Sequence, residues 1–150
     1  MNKVKQVKYN KLDEKEKKEV LSLLEESNKD QFLKNYFDIK DFDNYKSGIV
    51  SIITIEEDQL VGFYKPRKVT SGDYKDYYRS GPIFIKPKYR GKGYAKEALD
   101  DYFENKKGMC WISDKNTNSQ RLYKSIGFKK SNKHYLDPDE NEMGTFWFKD

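Results

Sequence analysis

The spacing of apolar and polar residues changes along the chain between a period of two and a helical period, which is typical of an α+β protein. Residues 4–9 alternate and predict a first strand. Asp13 and Glu16 then have the spacing of a capping box, and apolar residues at helical spacing follow them. We therefore expect a helix from this point, and apolar residues over 32–37 predict a second, shorter helix.

The middle of the chain has the pattern of strands joined by turns and interrupted by one helix. Residues 48–57 and 59–67 predict two strands that form a hairpin at Asp58. A polar loop over 68–77 leads into another predicted strand over 81–87. Residues 91–105 return to helical spacing, so the chain passes from strand to helix here.

The last third of the chain predicts a strand, a helix and a closing antiparallel pair. Residues 109–113 form a short apolar run typical of a buried strand, and residues 116–126 predict a helix. Residues 127–136 and 142–149 predict two strands joined by a polar turn. Neither repeats nor a linker interrupts this order, so we expect a single domain over residues 1–150.

Composition narrows the class of protein. Charged residues make up 37% of the chain, and 30 Lys and Arg against 25 Asp and Glu give a formal charge of +5. The lysines are spread along the chain, which favours a solvated surface over a nucleic-acid footprint. Cys110 is the only cysteine and lies in an apolar run, which suits a buried thiol in a reducing compartment. With no long apolar segment, we expect a soluble, cytoplasmic protein without a membrane partner.

Small residues mark the transition from the strand to the helix over residues 86–99. Gly91, Gly93 and Ala95 leave the backbone bare where a helix begins, and lysines and Arg90 surround them. A helix N-terminus attracts anions, so this stretch predicts a site for a phosphate-bearing cofactor. The spacing fits neither a nucleotide P-loop nor a dinucleotide fingerprint. A second interpretation stays open, in which the glycines only permit a tight turn and close packing of helix on strand.

The same residues resemble a motif of the GNAT superfamily of N-acetyltransferases. YRGKGYA is similar to its acyl-CoA pyrophosphate loop, with Arg90, Gly93 and Ala95 at the motif positions. NTNSQRLYKSIGF is similar to its later helix and turn, where Asn116 and Tyr123 match. The resemblance covers residues 81–128 and implies a mixed, mostly antiparallel central sheet of about six or seven strands, flanked by about four helices. In that fold a splayed strand pair binds CoA.

The resemblance also implies roles for individual residues. Backbone groups of Ile83 and Ile85 would pair with the pantetheine arm, and the Ile85 amide would stabilise the oxyanion. Tyr123 would act as the general acid that protonates the CoA sulfur, although an aromatic residue packed on the inner face of its helix would also explain it. No metal is required. The implied cofactor-binding residues are Ile83, Ile85, Arg90, Gly91, Lys92, Gly93, Tyr94, Ala95 and Asn116.

The implied activity is direct transfer of an acetyl group from acetyl-CoA to a primary amine of a small molecule or peptide, by a monomer or homodimer. No general base can be assigned, because residues 77–89 contain no carboxylate. The remaining candidates are Glu56, Glu57, Asp73, Asp76 and His134. Asn116 would hold the pantetheine or cap its helix. Two alternatives stay open, namely an inactive acyl-CoA-binding regulator and a basic nucleic-acid-binding module.

Overall fold

The structure is a computed structural model that describes residues 4–29, 51–55, 59–81, 83–138 and 141–150. The elements in chain order are β1 (Lys5–Lys8), α1 (Glu14–Ser27), β2 (Ser51–Ile55), β3 (Gln59–Tyr64), β4 (Arg67–Lys68), β5 (Tyr78–Arg79), β6 (Ile83–Ile85), α2 (Tyr94–Tyr102), β7 (Gly108–Ser113), α3 (Thr117–Ser125), β8 (Lys129–Asp137) and β9 (Glu142–Lys149). Short 3₁₀ helices cover Tyr9–Lys11 and Pro87–Tyr89. The chain divides into two compact units, unit 1 (residues 1–66 and 81–98) and unit 2 (residues 67–80 and 99–150).

Unit 1 contains a four-stranded sheet in the order β1-β2-β3-β6, in which all neighbours are antiparallel. Helix α1 packs against β3, and its first turn is closed by the predicted capping box. The Asp13 carboxylate accepts from the Glu16 amide at 2.8 Å, while the Glu16 carboxylate accepts from the Asp13 amide at 3.1 Å. Burial of apolar side chains between helix and sheet stabilises this unit. Its core consists of Tyr9, Leu12, Val20, Leu23, Leu24, Leu60, Phe63 and Phe84.

Unit 2 contains a five-stranded sheet in the order β4-β5-β7-β9-β8, in which only β5 and β7 are parallel neighbours. Its aromatic core includes Phe103 and Phe128, whose ring centroids are 5.1 Å apart. Both tryptophans of the chain lie on this sheet, Trp111 on β7 and Trp147 on β9. The Trp111 indole covers Gly144, where an added Cβ would come within 2.2 Å of the ring. A glycine is therefore required beneath this indole.

The α+β class with a mostly antiparallel arrangement is confirmed. Six of the seven strand pairings among the described residues are antiparallel, and seven of the nine strands have three or more residues. The described residues form three α-helices, and the short helix predicted over residues 32–37 lies outside them. None of the described helices has the length and apolar character needed to cross a membrane.

The predicted helix over 91–105 is shorter in the structure, where α2 begins only at Tyr94. The reason is local, because Gly91 and Gly93 have φ values of +76° and +85° and cannot continue a right-handed helix. The predicted loop over 68–77 follows a two-residue strand, β4, that sequence periodicity did not reveal. The later start of α2 leaves a short segment outside α-helix and strand between β6 and α2.

Candidate functional site

Strand β6 lies at the edge of the unit 1 sheet. One side of its backbone pairs with β3, and the other side faces away from that sheet. The Lys86 amide donates to the Val61 carbonyl at 2.8 Å, which makes this pair a hydrogen-bonded pair of the antiparallel ladder. Such pairs alternate along a strand, so Ile83 and Ile85 direct their N–H and C=O groups away from β3. These are the two residues whose backbone the resemblance assigns to pantetheine.

The close approach of β3 to β6 depends on Gly62. An added Cβ at this position would lie 2.1 Å from the Phe84 carbonyl oxygen, which is backbone and has little freedom to move. Gly62 pairs directly with Ile85, so any larger residue would push the end of β6 outward. Sequence patterns do not reveal this role, because a glycine within a strand pattern is equally consistent with a bulge.

Arg90 ties the segment after β6 back to the strand. Its Nε donates to the Ile85 carbonyl oxygen at 2.8 Å, and its guanidinium carbon lies 5.2 Å from the centroid of the Phe84 ring. The charged head is therefore fixed at the end of β6 by a hydrogen bond and by an aromatic face. The Ile85 carbonyl oxygen keeps a second lone pair, so both its carbonyl and its amide can still pair with a ligand.

Gly91 and Gly93 distinguish the two interpretations of the glycine-rich segment. Among the described residues, an added Cβ at either position would meet no atom within 4 Å, so the interpretation that these glycines allow close packing of helix on strand is wrong. Both residues have left-handed φ values, which favour glycine in any tight turn. The turn thus explains the residue type, and the open space above it is what a ligand would need.

Helix α2 begins at this bare turn. The Glu97 amide donates to the Gly93 carbonyl at 3.0 Å, which is the first helical hydrogen bond. Helix geometry leaves the amides of the first turn without acceptors inside the helix, and Gly93 has no side chain that could cap them. Helices α1 and α3 differ, since Asp13 and Asn116 cap them.

Cationic side chains surround the turn. Lys88 and Lys92 place their Nζ atoms 5.0 Å and 5.8 Å from the centroid of the Tyr89 ring. Tyr89 is itself held by a hydrogen bond of 3.0 Å from its hydroxyl to Gln59, and its ring contacts Tyr94 edge-on. The segment from residue 88 to 95 therefore combines exposed positive charge with first-turn helix amides, and this combination can bind a phosphate-bearing anion.

Asn116 and Tyr123 lie at the two ends of α3 in unit 2. The Asn116 side chain accepts from the Ser119 amide at 3.1 Å, so the capping role is confirmed, and a contact with pantetheine stays a prediction. Tyr123 is buried, with its ring edge-on to Phe128 at 5.1 Å. Its hydroxyl oxygen lies 2.5 Å from the Ser80 hydroxyl oxygen. Ser80 was missed from the sequence, because nothing in its neighbourhood marks a partner 43 residues away.

The candidates for a general base occupy different surroundings. Asp76 pairs with Lys68 at 3.6 Å, and Glu56 and Glu57 lie outside the described residues. The exposed His134 contacts Thr145 through Nδ1 at 3.2 Å, and the Thr145 hydroxyl donates to Asp114 at 2.8 Å. Because Thr145 has a single proton and gives it to a carboxylate, Nδ1 of His134 must carry the proton of their hydrogen bond. No general base is assigned from these contacts.

Cys110 is inert. It lies on β7 and is only 4% exposed, and burial raises the pKa of its thiol well above the ordinary range, with a small opposing effect of Arg79. A thiol that stays protonated is a poor nucleophile, so the interpretation of Cys110 as a structural residue holds. Among the described residues, no three His, Cys, Asp or Glu side chains are grouped closely enough to hold a metal ion.

Solved acetyltransferases share this fold. An acetyltransferase of the GNAT family from Bacillus anthracis matches with a TM-score of 0.74 at 20% identity, over 99% of this chain and 97% of that one. A chimera of the Vibrio cholerae spermidine N-acetyltransferase matches with a TM-score of 0.69 at 14% identity, over 98% and 95%. A structure of the NatC complex bound to Gag peptide and CoA matches with a TM-score of 0.70 at 15% identity, over 98% of each chain.

The sequence itself defines the family. A family model described as an acetyltransferase (GNAT) domain matches residues 47–130, which is more than half of the chain. The protein therefore belongs to the GNAT family of acetyltransferases. No curated protein matches the sequence significantly. The matched range includes the glycine-rich segment, Asn116 and Tyr123.

Proposed function

We propose that this protein transfers an acetyl group from acetyl-CoA to a primary amine of a small molecule or peptide. The observation that carries the proposal is the exposed turn at Gly91 and Gly93, which is open above both residues and leads into α2. Arg90 and Lys92 lie in the same segment and complement a diphosphate. Membership of the GNAT family supplies the reaction class.

The turn fits the diphosphate of acetyl-CoA for physical reasons. Amides of the segment from Gly91 to Ala95 would donate to the phosphate oxygens, and the positive end of α2 would stabilise their charge. The pantetheine arm would then pair with the β6 edge, where Ile83 and Ile85 direct their backbone groups away from β3. Tyr94 and Asn116 complete the proposed set of cofactor-binding residues.

Acetyl-CoA supplies the acetyl group as a thioester, which is already activated toward amines. The amine nitrogen would attack the carbonyl carbon, forming the C–N bond, and the Ile85 amide would donate to the developing oxyanion. The C–S bond then breaks, and Tyr123 would give its proton to the departing sulfur. A lysine-like amine has a pKa near 10.4, so about one molecule in 10³ is neutral at pH 7. Loss of the amine proton to water or to a base completes the transfer.

We also propose that the chain acts as a single domain over residues 1–150, in the cytoplasm, as a monomer or homodimer. The single buried cysteine suits a reducing compartment. Size-exclusion chromatography with light scattering distinguishes the monomer from the homodimer.

Thermal shift and thiol release together test the activity. With acetyl-CoA at 100 times its Kd, linkage predicts about 2.7 kcal/mol of added stability. Thiol release should then depend on the amine, which is varied across a panel of polyamines, amino acids and peptides. Stabilisation without release for any amine would indicate an acyl-CoA-binding regulator. Absence of a melting shift at millimolar acetyl-CoA would contradict the proposal, and salt-dependent binding of RNA would then favour the nucleic-acid module.

A further inference from the structure

Two buried hydroxyl groups face each other inside unit 2. Ser80 is 0% exposed and Tyr123 is 4% exposed, and their oxygen atoms lie 2.5 Å apart. Either oxygen can be the donor of this hydrogen bond. Because both groups are shielded from solvent, water does not readily replace either partner, and the bond contributes more than an exposed one would.

The backbone fixes the position of Ser80. It directly follows β5, and its amide donates to the Met109 carbonyl at 3.1 Å, which extends the parallel pairing of β5 with β7. Tyr123 is fixed independently, since it lies on α3 and its carbonyl accepts from the Phe128 amide at 3.0 Å. Both residues are thus anchored through their backbones. Their hydroxyl oxygens are already within hydrogen-bond distance of each other in this arrangement.

We propose that Ser80 is a positioning residue for the general acid Tyr123, an inference that rests on the proposed function. As the C–S bond of the thioester breaks, its electron pair moves to sulfur. The O–H bond of Tyr123 breaks, an S–H bond forms, and the negative charge moves to the phenolate oxygen. The Ser80 hydroxyl then donates to this oxygen. The product nitrogen loses one proton and the phenolate gains one, which balances the step and restores the acid.

General acidities explain why such a donor matters. An ordinary phenol has a pKa near 10 and an ordinary thiol has a pKa near 8.5. Because the phenol is the weaker acid by a pKa difference of about 1.5, the transfer of its proton to a thiolate is unfavourable. A hydroxyl that donates to the phenolate stabilises the product of this transfer and reduces the difference. A hydrogen bond to a charged group is worth enough to change a rate by roughly 10- to 100-fold.

A double-mutant cycle tests the inference with four proteins: the unmodified chain, Ser80→Ala, Tyr123→Phe and the double variant. Ser80→Ala should lower kcat about 10- to 100-fold and leave the Kd for acetyl-CoA within about two-fold. Tyr123→Phe should lower kcat on the order of 10² to 10⁴. In the Tyr123→Phe background, Ser80→Ala should change kcat no further, because its partner is already absent. Ser80→Thr, which keeps a hydroxyl, should restore part of kcat.

Ser27 provides a matched control in unit 1. It is also 0% exposed, and its hydroxyl donates to the Leu24 carbonyl at 2.7 Å within α1. Ser27→Ala should lower Tm, as the loss of any buried hydrogen bond does, and leave kcat unchanged.

Distinct results would overturn the inference. A Ser80→Ala variant with normal kcat and lowered Tm would show a purely structural hydroxyl. Equal losses of kcat in both backgrounds would show that Ser80 acts independently of Tyr123. A folded Tyr123→Phe variant with full kcat would show that Tyr123 is not the general acid, which would overturn the inference. Because acetyl-CoA-dependent turnover would remain, the proposed function would not be refuted by this result. Absence of thiol release from the unmodified chain for every amine would instead refute the proposed function.

Discussion

Replacement of Gly93 by alanine should separate ligand binding from turn geometry. Its φ of +85° places it in the left-handed region, where an L-residue costs about 1–2 kcal/mol. At about 2–4 °C per kcal/mol for a chain of this length, Tm should fall by roughly 2–8 °C. In the part of the chain that the structure describes, the added methyl group meets no atom within 4 Å, so it would occupy the space proposed for the diphosphate.

Gly72 offers a control with the same φ angle. It also has a φ of +85° and lies in a turn of unit 2, and an added Cβ there also meets none of the described atoms within 4 Å. Gly93→Ala and Gly72→Ala should therefore lose similar stability. Only Gly93→Ala should weaken the binding of acetyl-CoA. We expect its Kd to rise ten-fold or more, which corresponds to at least about 1.4 kcal/mol of binding free energy.

Isothermal titration calorimetry with acetyl-CoA measures the difference, and melting curves measure the cost to the fold. A third variant, Gly93→Asn, separates strain from obstruction, because asparagine tolerates left-handed backbone better than alanine. It should be more stable than Gly93→Ala and bind acetyl-CoA no better. Equal Kd values for the unmodified chain and for folded Gly93→Ala would refute the assignment of this turn to the diphosphate.

Three further predictions concern stability and reactivity. Gly81→Ala should destabilise the protein much more than Gly72→Ala in urea titrations, because its φ is +68° and an added Cβ would lie 2.0 Å from the Lys65 carbonyl oxygen; equal midpoints would contradict this close approach. Cys110 should react with a thiol reagent at pH 8 only after denaturation, since it is buried, and rapid labelling of the native protein would count against its burial. Burial and then the neighbouring Tyr78 raise the pKa of Tyr102 to about 12, so between pH 10 and 12 the unfolded state holds fewer protons and stability should fall as pH rises. Tyr102→Phe should lessen that fall, and an unchanged slope would exclude Tyr102 as its source.

Local signals in the sequence predicted the local structure well. The Asp13 and Glu16 capping box, the Asn116 cap and the pairing of β2 with β3 all depend on residues close together in the chain. The start of α2 was misplaced, because helical spacing continues through Gly91 although the backbone there is left-handed. Apolar periodicity reports which face is buried and does not report φ.

Contacts between distant segments could not be predicted. Ser80 meets Tyr123 only because β5 pairs in parallel with β7 and α3 returns to the same sheet. The role of Gly62 likewise depends on the distance between two backbones, β3 and β6. The motif resemblance identified residues with proposed chemical roles, while the groups that hold them in place emerged only from the fold.

The positions of the two tryptophans make intrinsic fluorescence a specific probe of unit 2. Trp111 and Trp147 both belong to the five-stranded sheet of unit 2, and the sequence has no other tryptophan. Indole emission during unfolding will therefore follow unit 2 alone, whereas far-ultraviolet circular dichroism follows both units. If the two signals change at the same denaturant concentration, the units unfold as one cooperative body, and if they separate, unit 1 has a stability of its own.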